Sequence, residues 1–187
     1  SKTKDIGHKA YDFAYVHHVD LSPSNFGTWR TLPDGARIWQ GVVHAEGAYS
    51  LKFTFNPFSL PPGAKLYLYT PGKEDIAGAF TARNNKLSGK LAVRPLAGDE
   101  VIIAYYEPAG VAKNGRFKIT RIGHDYKNAF GEEETTSQYC EVNITCSEGD
   151  EWQLEKRAVA KIVIDKSRIC PGALGNNTRS NGTPYFR

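Results

Sequence analysis

The feature that most constrains the fold is a two-residue alternation of apolar and polar side chains. It recurs along the first 130 residues and is broken each time by turn residues. Leu51, Phe53 and Phe55 alternate with Ser50, Lys52 and Thr54, and Tyr49 falls in phase with the apolar set. Leu66 and Leu68 alternate with Lys65, Tyr67 and Tyr69; Phe117 and Ile119 alternate with Arg116, Lys118 and Thr120. A period of two sends successive side chains to opposite faces, so each segment reads as a half-buried strand. Residues 101–106 form a short apolar run, which predicts a central strand covered on both faces. Residues 13–19 and 36–43 are further strand candidates. Breakers lie between them: Pro33-Asp34-Gly35, Pro61-Pro62-Gly63, Pro71-Gly72, Ala97-Gly98-Asp99 and Lys113-Asn114-Gly115. Many short strands without an amphipathic helix predict an all-β chain. The expected form is an antiparallel β-sandwich, jelly-roll-like, and a closed barrel is the alternative that periodicity does not separate from it.

Composition supports a folded chain. Of 187 residues, 40% are hydrophobic and 24% charged, enough to build a core, which excludes a disordered tail, a collagen-like chain and a coiled coil. No apolar run approaches the ~18 residues of a membrane helix. No signal-peptide pattern is visible, so any targeting segment is expected to have been removed or omitted. The net charge of +4 is mild and its basic residues are scattered, which argues against nucleic acid as a partner.

The charge is unevenly divided. Residues 1–130 carry 17 Lys and Arg against 11 Asp and Glu, whereas residues 131–187 carry 7 against 9. The change is abrupt at Glu132, Glu133 and Glu134, and no basic residue occurs between 131 and 151. All three cysteines, Cys140, Cys146 and Cys170, follow the break. This predicts a first domain at 1–130, a linker at 131–139 and a second segment at 140–187. A long solvated loop within one domain is the alternative.

Catalytic and metal signatures are sparse. There is no Gly-x-Ser-x-Gly elbow, no His-Glu-x-x-His helix and no phosphate-cradling glycine loop. His17 and His18 are adjacent, so on a strand their rings point to opposite faces and cannot readily share a metal. Neither a metal nor a cofactor is expected. His44 and His124 read as surface residues near strand ends. The acid pairs Glu74-Asp75 and Asp99-Glu100 fall in turn-like sequence and read as solvated. Trp29, Trp39, Tyr67, Tyr69, Tyr105 and Tyr106 are candidates for a carbohydrate platform, or for the second face of a sandwich. Three short glycosylation sequons, at Asn143, Asn176 and Asn181, arise readily by chance.

The segment after the break is the most distinctive. Cys140 and Cys146 are followed by Glu148-Gly149-Asp150, then by Cys170-Pro171-Gly172-Ala173-Leu174-Gly175-Asn176-Asn177-Thr178. This resembles the start of the mature domain of lysyl endopeptidases, secreted serine proteases with a trypsin-like double β-barrel. The upstream stretch resembles the pro-region of the same proteases, through Gly27-Thr28-Trp29, Leu60-Pro61-Pro62-Gly63-Ala64, Leu66-Tyr67-Leu68-Tyr69 and Tyr105-Tyr106-Glu107-Pro108. Pro171 and Gly175 depart from the family pattern.

The resemblance implies a secreted, non-catalytic pro or accessory domain joined to a partial trypsin-like segment. The family's catalytic His is expected just past Arg187, so no triad residue is carried over. All three cysteines are then expected to pair with downstream partners, although a Cys140–Cys146 bond is the alternative. The implied partner is the protein's own or a cognate protease domain. Processing is expected within 127–139, with Lys127 as the candidate site if the parent enzyme cuts after lysine. The alternative is a stand-alone secreted module that binds glycan or a cell surface through Trp39 and Tyr67.

Overall fold

The computed structural model describes residues 11–111, 115–130, 147–164, 167–175 and 185–186. In chain order the strands are β1 (Tyr11–Asp12), β2 (Ala14–Leu21), β3 (Thr28–Thr31), β4 (Arg37–His44), β5 (Ser50–Ser59), β6 (Lys65–Tyr69), β7 (Ile76–Phe80), β8 (Leu91–Ala92), β9 (Leu96–Ala97), β10 (Glu100–Glu107), β11 (Arg116–Asp125), β12 (Val159–Ile164), β13 (Arg168–Gly175) and β14 (Tyr185–Phe186). The chain divides into two compact units. One is 14–131; the other joins residues 1–13 to 132–187.

The first unit is a sandwich of two antiparallel sheets. One has the order β3-β4-β10-β6-β7, and the other β2-β11-β5-β8 with β9 also paired to β5. Neither sheet closes on itself, so the barrel alternative gives way to the sandwich. The alternating residues do what their period requires. Leu51, Phe53 and Phe55 from one sheet, and Leu66, Leu68, Val101 and Ile103 from the other, are all fully buried in a common core. Burying each such Leu or Phe stabilises the fold by about 1.5–3 kcal/mol. Phe117 seams the two layers, its ring meeting Trp39 edge-on at 5.4 Å and Tyr105 at 5.0 Å.

Three details differ from the sequence expectation. Residues 101–106 do form the central strand of their sheet, between β4 and β6, but only one face is sealed. Val101, Ile103 and Tyr105 are buried, while Ile102, Ala104 and Tyr106 remain half-buried on the other side. Tyr49 is in phase with Leu51 yet 52% exposed, because it lies one residue before β5, past the edge of the core. The candidate strand at 13–19 forms as β2 from Ala14 onward, but its first residue, Phe13, lies outside the strand. Residues Tyr11 and Asp12 pair instead with Ile169 and Arg168, the Phe13 N–H donates to the Ser167 carbonyl at 2.8 Å, and Arg168 meets Asp12 at 3.1 Å. These residues therefore group with the second unit.

The second unit contains an open antiparallel sheet. Strand β13 lies between β1 and β12 and also pairs with β14. A 3-10 turn (Ser147–Trp152) runs into a short helix, α1 (Gln153–Ala158), ahead of β12. Trp152, Leu154 and Val159 are more than half exposed.

Candidate functional site

The end of β11 holds the junction at which processing was expected. Asp125 is the last residue of the strand and is 1% exposed. Its Oδ2 accepts the Ser50 hydroxyl at 2.9 Å and the Ala129 N–H at 3.0 Å, and its Oδ1 accepts the Lys127 N–H at 2.9 Å. An aspartate accepting from the backbone two residues on closes an Asx turn. Asn128 then takes a positive φ of 51°, a left-handed conformation that asparagine tolerates better than most residues. The Asp125 carbonyl in turn accepts the Tyr49 N–H at 2.9 Å, which ties the turn to the start of β5. Lys127 is exposed, with its ammonium 5.5 Å from the centre of the Tyr126 ring.

The aromatic candidates separate into two groups. Trp39 is completely buried: its ring packs on Phe26 and Phe117, and its indole N–H donates to the Phe26 carbonyl at 2.8 Å. No face of it is available to a ligand, which corrects the expectation that it serves as a binding aromatic. Inward phase on β4, shared with Gly41 and Val43, is the physical reason. Tyr105 is also interior, and Trp29 is 40% exposed over Tyr105 and the Arg37 guanidinium. Tyr67, Tyr69 and Tyr106 share the outward face of their sheet. Ala104 stands opposite Gln40 and Tyr67, Ile102 opposite Val42 and Tyr69, and Tyr106 opposite Ile38 and Lys65. Gln40 steadies this face by donating to the Tyr69 hydroxyl at 3.1 Å.

A buried ionic network, not foreseen as a site, lies on the inward side. Glu107 is 1% exposed and pairs with the Arg37 guanidinium; it also accepts the Tyr105 hydroxyl at 2.8 Å and the Gly115 N–H at 2.9 Å. Burial alone would raise the Glu107 carboxyl, but Arg37, the Gly115 N–H and Tyr105 outweigh it and hold the group below its ordinary value. Burial, reinforced by the carboxylate beside it, pushes the Tyr105 phenol well above the usual range. Glu107 continues the inward phase of Val101, Ile103 and Tyr105, and that signal is present in the sequence.

The two acid pairs meet in space. Glu74, Asp75, Asp99 and Glu100 line one shallow hollow of about 300 Å³ with Thr70 and Ala97. Three of these acids have partners. The Arg94 guanidinium holds Asp75 below the usual carboxylate range against the opposing pull of burial, with help from the Ala97 N–H at 3.0 Å. The Thr70 hydroxyl donates to Glu74 at 3.3 Å, and Asp99 lies 3.5 Å from His44. The His17 and His124 rings are 6.0 Å apart. Among the described residues no group of three His, Cys, Asp or Glu is arranged to hold a metal, and no helix is long and apolar enough to cross a membrane. Cys140 and Cys146 lie outside the described residues, while the Cys170 backbone sits in β13 opposite Ile162.

No solved structure matches this chain. Residues 135–187 match the family model described as "Lysyl endopeptidase, C-terminal domain", which relates the protein, through that stretch, to the lysyl endopeptidases.

Proposed function

We propose that the sandwich is a non-catalytic pro or accessory domain of a secreted lysyl endopeptidase-like serine protease, and that residues 140–187 belong to the protease part. The observation that carries this reading is the family match at 135–187, which begins just after the sandwich unit ends at residue 131. The reading is supported by the buried acids of the sandwich, which are held by structural partners: Asp125 by Ser50 and Glu107 by Tyr105. Its expected partner is its own or a cognate protease domain, which it would shield or help to fold. The unlike charges of the two segments would speed their association more than tighten it.

The test is N-terminal sequencing of the mature enzyme secreted by the source organism. A start within residues 128–140 is expected. A start within 14–111, or a mature product that retains the whole sandwich, overturns the reading. The purified 187-residue chain is also expected to leave a lysyl ester unhydrolysed.

A second reading, binding of a glycan or cell surface, is favoured by one observation: the outward row of Tyr67, Tyr69 and Tyr106 beside Gln40. Saturable binding of a soluble polysaccharide, lost in Tyr67→Ala and kept in a processed protease-free sandwich, would select it.

A further inference from the structure

We propose that Asp125 is a proteolytic latch: the folded sandwich protects the Lys127–Asn128 bond, and cleavage there requires the end of β11 to open first. The inference rests on the reading that this junction is processed, and it concerns how that processing is regulated. Lys127 is the single Lys or Arg between residues 122 and 155, so a protease that cuts after a basic residue has no other target in the connection. An endopeptidase binds its substrate as an extended strand, with backbone hydrogen bonds on both sides of the scissile bond and its carbonyl held at attack geometry. Here the same backbone is engaged elsewhere. The N–H groups of Lys127 and Ala129 both point at the Asp125 carboxylate, and Asn128, the residue after the cut, is left-handed rather than extended. The Lys127 side chain is exposed beside the Tyr126 ring, so what withholds the bond is its engaged backbone and not burial of the lysine.

The carboxylate is well placed to hold this state. It is buried, and the Ser50 hydroxyl and the two N–H groups give it three donors. Opening the turn would strand a buried charge or require it to be rehydrated. Opening of such a local unit precedes cleavage, so the cleavage rate reports the population of the open form.

The experiment exposes the full 187-residue chain to a lysine-specific endopeptidase and follows each cut by mass spectrometry. A synthetic peptide of residues 121–135 gives the rate for the unlatched junction. In the chain, cleavage after Lys127 is expected to be at least ~100-fold slower than in the peptide. Asp125→Asn keeps the shape but turns one acceptor oxygen into a donor, and should speed cleavage after Lys127 at least ~10-fold. Cleavage after Lys65, within β6, reports opening of the sandwich as a whole and should not change. If Asp125→Asn raises both sites together, Ser50→Ala decides, because it removes one donor and leaves both backbone bonds. A severalfold rise at Lys127 alone supports the latch; equal rises at both sites overturn it. A chain cut at Lys127 as fast as the peptide overturns it outright. These rate ratios judge the latch whatever N-terminus the mature enzyme has, so its failure is distinct from failure of the functional reading.

Discussion

Replacing Glu107 with glutamine tests whether the buried network holds the sandwich together as its geometry implies. The variant keeps side-chain volume and removes the charge. Glu107 accepts from Tyr105 and from Gly115 inside the core, and each such bond to a charged acceptor stabilises by about 1.5–3 kcal/mol. The Arg37 partner contributes less, because its side chain is 39% exposed and the pair is screened by solvent. Glutamine offers one acceptor oxygen where the carboxylate had two, so its amide nitrogen must face a donor. The expected loss is about 2–4 kcal/mol at pH 7. The pH dependence has a definite sign. The folded carboxyl is held below its ordinary value, so its stabilisation is complete above the unfolded value, near ~4.3, and drains away as pH falls through the folded one. The gap between native protein and variant should therefore narrow from pH 5 toward pH 3. Asp75 is shifted in the same direction but is present in both proteins and cancels. Urea unfolding of the full chain, followed by near-ultraviolet circular dichroism at several pH values, measures this gap. A difference below about 1 kcal/mol at pH 7, or one that stays flat down to pH 3, would refute the reasoning.

Two further predictions use the same unfolding assay. Trp39→Ala should cost about 3–5 kcal/mol because it empties the centre of the core, whereas Tyr67→Ala on the outward face should cost about 1 kcal/mol or less; equal losses would mean the inward and outward assignments are wrong. Gly27 and Gly47 both have positive φ, at 71° and 77°, but differ in surroundings. A methyl on Gly27 would strike the Gln40 carbonyl and come within 2.8 Å of the Trp39 ring, while one on Gly47 meets nothing within 4 Å. Gly47→Ala should therefore cost about 1 kcal/mol from backbone strain alone, and Gly27→Ala at least about 3 kcal/mol; urea unfolding that ranks them the other way would sink the argument.

What the chain reveals before folding is governed by range. The strands with four or more alternating residues were legible because burial of one face imposes a period that any reader can count. The outward position of Tyr67 and Tyr69 followed from the inward phase of Leu66 and Leu68. Trp39 was harder, since β4 carries apolar residues in both phases: Ile38 and Val42 on one side, Trp39 and Val43 on the other. Only the opposing sheet decides which phase is the core. The two-residue strands β8 and β9 are too short to show a period and exist because β5 offers them a partner. The pairing of β1 with β13 joins residues more than 150 positions apart, and no local pattern encodes it. The latch lies between these cases. Its Asx turn is local, because Asp125 reaches only to Lys127 and Ala129, so an aspartate two residues before the lone lysine was a readable signal. Its strength was not readable. That depends on Ser50, which comes from 75 residues away, and on burial that only the assembled sheet supplies. Charge patterning thus marks Lys127 only as a candidate for cleavage; whether a protease can act there is a property of the tertiary structure around it.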